Sequence, residues 1–404
     1  MPYDGHCGYK FRLYPNDEQT QQIETTFNAC IRVWNLALEL KDAAYKNDKT
    51  SLSVFDINKM ITRWKRILPW LSIAPISALQ QTARNLDQAY KNAFKRLKKG
   101  EDPGFPKYKT MRTGAKSYKT PAGGRKGPDG KVIVKTQAVR VVDRHHIILP
   151  KLGTVRCRGM QDALVNGECG HVLSATVSRT PTGKYYCSVG CEDVPQPEME
   201  DGVVDVMGVR VAVGDGITRS DGIAIPNPKA YKKYERKARR EQRRLSRKVK
   251  GSHNYEKQRR RKARVDERVA DIRSDHIHKV TKDIVRDSKS VIVGRSEVKK
   301  MTKAKKGDGR KVQRSINRAI LDSAIYTTTW RLEYKADRYG RQVIVLQGGL
   351  PWTRTCSRCG AETGPTKPGV AQWTCTECGT THVTSENAAR NIQYEGAAML
   401  KEMS

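Results

Sequence analysis

Cys356-x-x-Cys359 and Cys375-x-x-Cys378, with 15 residues between the two pairs, carry the most specific chemistry in the chain. Thiolates at this spacing suit a tetrahedral Zn²⁺ held by two knuckles. Gly360 and Gly379 follow the pairs, where the backbone must turn its amides towards sulfur. Four thiolates fill the coordination sphere, so the zinc is expected to be structural rather than catalytic. Cys187 and Cys191 show no ligand spacing and read as small core residues. The second concentration of chemistry is cationic: from Lys229 to Arg268, 19 of 40 residues are Lys or Arg, against five acids. Such a run binds phosphates or faces water; it does not catalyse by itself.

Charge on this scale extends beyond that run. The 404 residues carry 77 Lys and Arg against 42 Asp and Glu, a formal charge of +35. An excess this large repels itself unless a polyanion neutralises it. Nucleic acid is the first expectation and an anionic membrane surface the second. No stretch approaches the ~20 apolar residues of a membrane span, and Met1-Pro-Tyr-Asp has no signal-peptide pattern. A cytoplasmic, nucleoid-associated location in a bacterium is expected.

The elements that position these residues change character along the chain. Tyr9 to Tyr14 alternates like a strand; Asn16 and Gln19 form a capping box before Ile23, Phe27, Ile31, Trp34 and Leu38 at helical spacing. Leu79 to Leu97 is a second helix ending at Lys98-Lys99-Gly100. From Gly104 to Val194 the period falls to two, with alternating pairs such as Val132/Val134, Ile147/Leu149 and Val155/Cys157, which predicts an antiparallel sheet or small barrel. Beyond the acidic linker 195–200 come a strand from Val203, a hairpin at Asp221-Gly222, and two basic helices broken at Gly251-Ser252. A strand at Val291-Ile292-Val293, a helix from Ile316 to Tyr339 and a strand from Gln342 to Leu346 complete an α/β pattern.

Across almost its whole length this order resembles TnpB, the transposon-encoded RNA-guided nucleases regarded as ancestors of type V CRISPR effectors. The matching stretches include Tyr9-Lys-Phe-Arg-Leu-Tyr-Pro15, Leu86 to Phe94, Gly104-Phe-Pro-Lys-Tyr108, Leu149-Pro-Lys-Leu-Gly153, Asn227-Pro-Lys-Ala-Tyr231, Leu245-Ser-Arg-Lys248, Leu332 to Ala336, the cysteine pairs, and Glu386-Asn-Ala-Ala-Arg-Asn-Ile392. The resemblance implies an α+β multidomain fold. A wedge β-barrel (1–15 and 104–195) would carry an inserted helical recognition domain (16–103). A RuvC-like RNase H fold (201–350 and 383–404) would carry an inserted zinc ribbon (351–382).

It also implies three acids converging on two Mg²⁺ ions. The first sits in a G-[IV]-D-x-G pattern, against Val203-Val204-Asp205-Val206-Met207-Gly208 here. Matching the glycine places Val206 at the acid's position, and matching Val-Asp-Val places Asp205 there; both frames stay open. The second acid's position, counted back from Lys299-Lys300-Met301, is Gly294. The third belongs to D-R-D-x-N-A-A, where this chain has Val383-Thr384-Ser385-Glu386-Asn387-Ala388-Ala389. At least two of three acids are missing. The expectation is therefore a protein that is not an enzyme, without catalytic Mg²⁺, similar to nuclease-dead TnpB-like repressors. The alternative is an active endonuclease whose site is rebuilt from Asp205, Glu297 and Glu386.

The partners so implied are a guide RNA, with scaffold and guide, and a double-stranded DNA target, with no membrane. Arg236, Arg239, Arg240, Arg243, Arg244, Arg247, Lys248, Lys257, Arg260, Arg261 and Lys311 are expected on nucleic-acid backbone, with Arg310 and Arg314 nearby. Gln80, Thr120, Ile76 and Val54 stand where the family reads a short DNA motif beside the target. A guide-free protein that coats nucleic acid is the third reading.

Overall fold

The computed structural model describes residues 5–111, 116–124, 136–198, 204–294, 298–303, 309–347, 351–366 and 369–403. The chain divides into two units between Pro195 and Gln196.

In the first unit, β1 (Cys7–Tyr14) buries Tyr9, Phe11 and Leu13 at alternate positions, as the pleat requires. A turn at Pro15 leads to α1 (Asp17–Asp48). Its capping box is closed in both directions: Gln19 N donates to Asn16 Oδ1 at 2.8 Å and Asn16 N to Gln19 Oε1 at 3.2 Å. The apolar stripe Ile23, Phe27, Ile31, Trp34 and Leu38 is buried. Two helices follow, α2 (Val54–Ile67) and α3 (Ile76–Lys98), separated by a 3₁₀ turn at Pro69–Ile73. Sequence periodicity missed α2, which is fixed by a second capping box between Ser53 and Asp56.

Six strands complete this unit: β2 (Ser117–Pro121), β3 (Arg140–Asp143), β4 (His146–Leu149), β5 (Gly153–Arg158), β6 (His171–Arg179) and β7 (Tyr185–Glu192), with a single turn of helix, α4 (Asp162–Val165), between β5 and β6. They form a seven-stranded antiparallel sheet in the order β2-β6-β7-β1-β5-β4-β3. The opening strand is thus the central one, and among the described residues β2 and β3 are the sheet's two ends. The strand expected at Val132/Val134 lies outside the described residues.

The second unit is built on β8 (Val204–Ala212), β9 (Gly216–Arg219), β10 (Ala224–Pro226), β11 (Ser288–Gly294) and β12 (Gln342–Leu346), in the order β10-β9-β8-β11-β12. β8, β11 and β12 run parallel, and β9 and β10 return antiparallel through the turn at Gly222, whose φ is +90°. Two basic helices, α5 (Ala230–Ser246) and α6 (His253–Asp287), lead into β11. Then come α7 (Val298–Met301), α8 (Arg310–Ser323) and α9 (Ile325–Arg338). The single helix expected from Ile316 to Tyr339 is two, because Ala324 takes a left-handed conformation with φ +47°. Two ribbon strands, β13 (Gln372–Thr374) and β14 (Thr381–Val383), precede the final helix α10 (Thr384–Met403).

The two faces of the sheet bury different residues. Met207, Val209, Val211, Val291 and Val293 pack with Ile284 and Val285 of α6 and Leu332 of α9. On the opposite face Ile292 and Leu346 pack with Ile392 of α10, with Val206 and Trp352 beside them. α10 comes so close that a Cβ on Gly208 would lie 2.1 Å from the Ala389 carbonyl oxygen.

Candidate functional site

The ribbon gathers its four cysteines, and α10 braces the first knuckle: Asn387 Oδ1 accepts from Ser357 N at 2.9 Å and its Nδ2 donates to Thr355 O at 2.8 Å. All four Sγ atoms lie within 4.8 Å of one another, with Cys356–Cys378 and Cys359–Cys375 each at 3.7 Å. A tetrahedron with Zn–S of 2.3 Å has sulfur–sulfur edges of about 3.8 Å, so the cluster fits a zinc ion. Each knuckle is closed by backbone: Gly360 N donates to Cys356 O at 2.9 Å and Gly379 N to Cys375 O at 3.0 Å. Both glycines have positive φ, +80° and +67°. The Thr363 hydroxyl, 3.2 Å from Cys375 Sγ, pulls that thiol down to about 6, towards the thiolate a metal needs. His382 was not anticipated. It is 7% exposed, its Nε2 lies 3.0 Å from Cys356 Sγ, and its ring sits 4.9 Å from Trp373. Its offset of four residues beyond Cys378 resembles no ligand repeat, so spacing could not reveal it.

Register decides the positions expected to carry acids. Asp205 is exposed at the start of β8, on the face of Met207, and pairs with Lys289 at 3.0 Å. Val206 is opposite Ser290 and belongs to the α10 face. Gly294 lies four residues further up β11, and the pairing of Val293 with Val209 brings Arg210 level with it. Neither open frame therefore places its residue beside Gly294. A frame starting at Gly208, Gly-Val-Arg-Val-Ala, puts Arg210 at the acid's position. Arg210, Gly294 and Ser385 line one cavity of about 700 Å³, together with Asp215, Trp352 and Thr384. Glu386 is turned elsewhere: it pairs with Arg390 at 2.6 Å, and a Cβ on Gly222 would meet its carboxylate at 3.6 Å. Glu297 lies outside the described residues. Among the described residues lining the cavity, Asp215 is the one carboxylate, which is not a donor set for two Mg²⁺ ions.

The basic helices pack against each other through a buried polar contact, Gln258 Nε2 donating to Glu241 Oε2 at 2.7 Å. This leaves the cations outside. Arg236, Arg239, Arg240, Arg243, Arg244, Arg247, Lys248, Lys257, Arg260, Arg261 and Arg314 are all exposed. Arg239 pairs with Glu235, and Arg240 and Arg244 with Glu241. Arg236, Arg243 and Arg247 make no ion pair among the described residues. The side chains of Arg310 and Lys311 lie outside those described.

In the first unit Val54 opens α2, Ile76 opens α3, and Gln80 lies one turn along α3. Thr120 requires correction as a candidate DNA contact. It is 1% exposed, on the inward pleat of β2, with its hydroxyl 3.5 Å from Ala175 O. The alternation that buries Tyr118 buries Thr120 too.

Comparison with known proteins places these features together. A family described as "Probable transposase" matches residues 206–305, and one described as "Cas12f1-like, TNB domain" matches 326–392, which contains the four cysteines. A "Helix-turn-helix domain" family matches residues 6–50, where the structure has a strand and one uninterrupted helix. A "Putative RNA-guided DNA endonuclease" from Streptomyces pristinaespiralis is 30% identical over 392 residues, covering 96% of this chain and 89% of the relative. A protein of the same description from Escherichia coli strain K12 is 29% identical over 400 residues, covering 97% and 92%. A Cas12f1–sgRNA–target DNA complex shares the fold with a TM-score of 0.53 at 14% identity, over 94% of this chain and 83% of that one. The expectation that the chain is not an enzyme is overturned by these relatives, whose names point to an enzyme.

Proposed function

From a chain that belongs to the TnpB-like family of RNA-guided DNA endonucleases, we propose a protein that binds a guide RNA and is directed by it to duplex DNA. The observation that carries this reading is the outer face of α5 and α6. There Arg236, Arg243 and Arg247 stand exposed, without an ion pair among the described residues, on a helix pair whose inner contact is Gln258 with Glu241. Guanidiniums so placed bind phosphates by position and leave sequence to base pairing. Guide and target strand would form an A-form heteroduplex along this face, and the displaced strand would complete an R-loop. Val54, Ile76 and Gln80 are the positions proposed to meet a short DNA motif beside the target. The four-cysteine cluster holds a structural zinc ion in this reading, keeping the ribbon folded between β12 and α10.

Occupancy of a promoter by such an R-loop blocks RNA polymerase, which makes transcriptional repression an outcome of binding itself. The test is to sequence RNA that copurifies with the protein and map its variable segment to a genome. One scaffold with a defined guide is expected, and a promoter match supports repression. A random mixture of cellular RNA would sink guided binding and leave simple coating of nucleic acid.

A further inference from the structure

The cavity at the ends of β8 and β11 presents a guanidinium, Arg210, with one carboxylate, Asp215, where the family resemblance would lead one to look for a cluster of acids. Arg210 projects from β8 level with Gly294, which contributes no side chain; the Trp352 ring occupies the space a Cβ there would fill, 2.5 Å away. Burial pulls the Arg210 guanidinium below its ordinary value, and Asp215 is the charge that opposes this. Its side chain makes no hydrogen bond or ion pair among the described residues. A desolvated guanidinium beside a single carboxylate still has donors to offer an anion.

Three further features point to what that anion is. The cavity lies beyond the carboxyl ends of parallel strands, where open α/β sheets bind ligands. Thr384 and Ser385, the first residues of the 20-residue helix α10, line it, so the positive end of a helix dipole opens onto it. The Glu386 carboxylate, which would oppose an anion there, is instead engaged by Arg390. Finally, the Trp352 indole forms part of the wall and offers a base a stacking surface that a free phosphate would not use.

We propose that this cavity binds a phosphodiester of a nucleic-acid strand, with Arg210 and the first turn of α10 as its donors and Trp352 against the adjoining base. The proposal rests on the guided-binding reading for which strand arrives, but not for whether the site binds. The test uses the full chain and two probes. A single-stranded oligonucleotide, titrated over a range of salt, reports the site directly. A guide-matched and a scrambled duplex report guided binding separately.

Removing one phosphate contact lowers the slope of log affinity against log salt by about 0.7 on single strands. Arg210→Met is expected to show that loss and bind the oligonucleotide about fourfold more weakly near physiological salt. Arg210→Lys is expected to keep the slope. Ser385→Asp, which places a carboxylate at the helix start, is expected to weaken binding independently should Arg210→Met misfold. Wild-type slope and affinity in both Arg210→Met and Ser385→Asp would overturn the proposal. Saturation of the site by micromolar inorganic phosphate, read as an Arg210-dependent rise in melting temperature, would assign it to a free anion and overturn the strand reading. Failure to distinguish matched from scrambled duplex, with the Arg210 effect on the oligonucleotide intact, would count against guided binding alone.

Discussion

Neutralising Arg236, Arg243 and Arg247 together as glutamines should weaken nucleic-acid binding by an amount that depends on salt in a calculable way. At 100° per residue the three side chains fall within about 40° of one another on α5, opposite the buried stripe of Ala238, Glu241 and Leu245. They therefore face a single strip of backbone, and none has an acidic partner to lose among the described residues. Each phosphate contact adds about 0.9 to the slope of log affinity against log salt. Three contacts make about 2.7, which at 0.15 M is on the order of a hundredfold in affinity and at 0.5 M about sixfold. Folding should be untouched, since exposed substitutions usually stay within about 0.5 kcal/mol. The assay is an electrophoretic or anisotropy titration of the protein–RNA complex with its matched duplex at several salt concentrations. An unchanged slope would refute the reasoning, because it would place no phosphate on this face.

Other parts of the structure give sharper local outcomes. Replacing Cys375 by Ser should remove zinc measured by elemental analysis and loosen the second knuckle, because that cysteine supplies one of the four thiolates; full zinc retention would contradict the assigned ligand set. His382→Asn should speed zinc release to a chelator while leaving initial zinc content intact, since Nε2 lies against Cys356 Sγ; release at the wild-type rate would show the contact to be incidental. Gly208→Ala should cost about 3 kcal/mol in urea unfolding, the upper end of overpacking, because its Cβ would collide with the backbone of α10; a neutral result would mean that α10 does not pack where the structure has it.

What the sequence disclosed and what it withheld follow from how local each feature is. The cysteine pairs could be recognised because each knuckle is made by consecutive residues. The capping box at Asn16 and the stripe from Ile23 to Leu38 were equally local. Arg210 was missed because its significance comes from the register between β8 and β11, strands about eighty residues apart in sequence whose alignment only pairing reveals. The two frames considered for the first acid ended at Gly208 and at Met207, whereas the sheet aligns Gly294 with a residue beyond both. The break at Ala324 carried no glycine or proline to announce it. Thr120 was polar and in a plausible place, but a strand's pleat, not polarity, decides which side faces the core. The missing carboxylates misled in another way: three positions suggested that the chain is not an enzyme, and likeness across 96% of its length points the other way.

The central claim is that a bound RNA chooses the DNA. The most direct measurement is the affinity of the purified protein–RNA complex for a duplex matching the sequenced guide, compared with the same duplex scrambled over that segment, at fixed salt. Guided binding predicts a ratio of about a thousandfold or more in favour of the match. Equal affinities would contradict it and reduce the +35 charge to a non-specific attraction for polyanions.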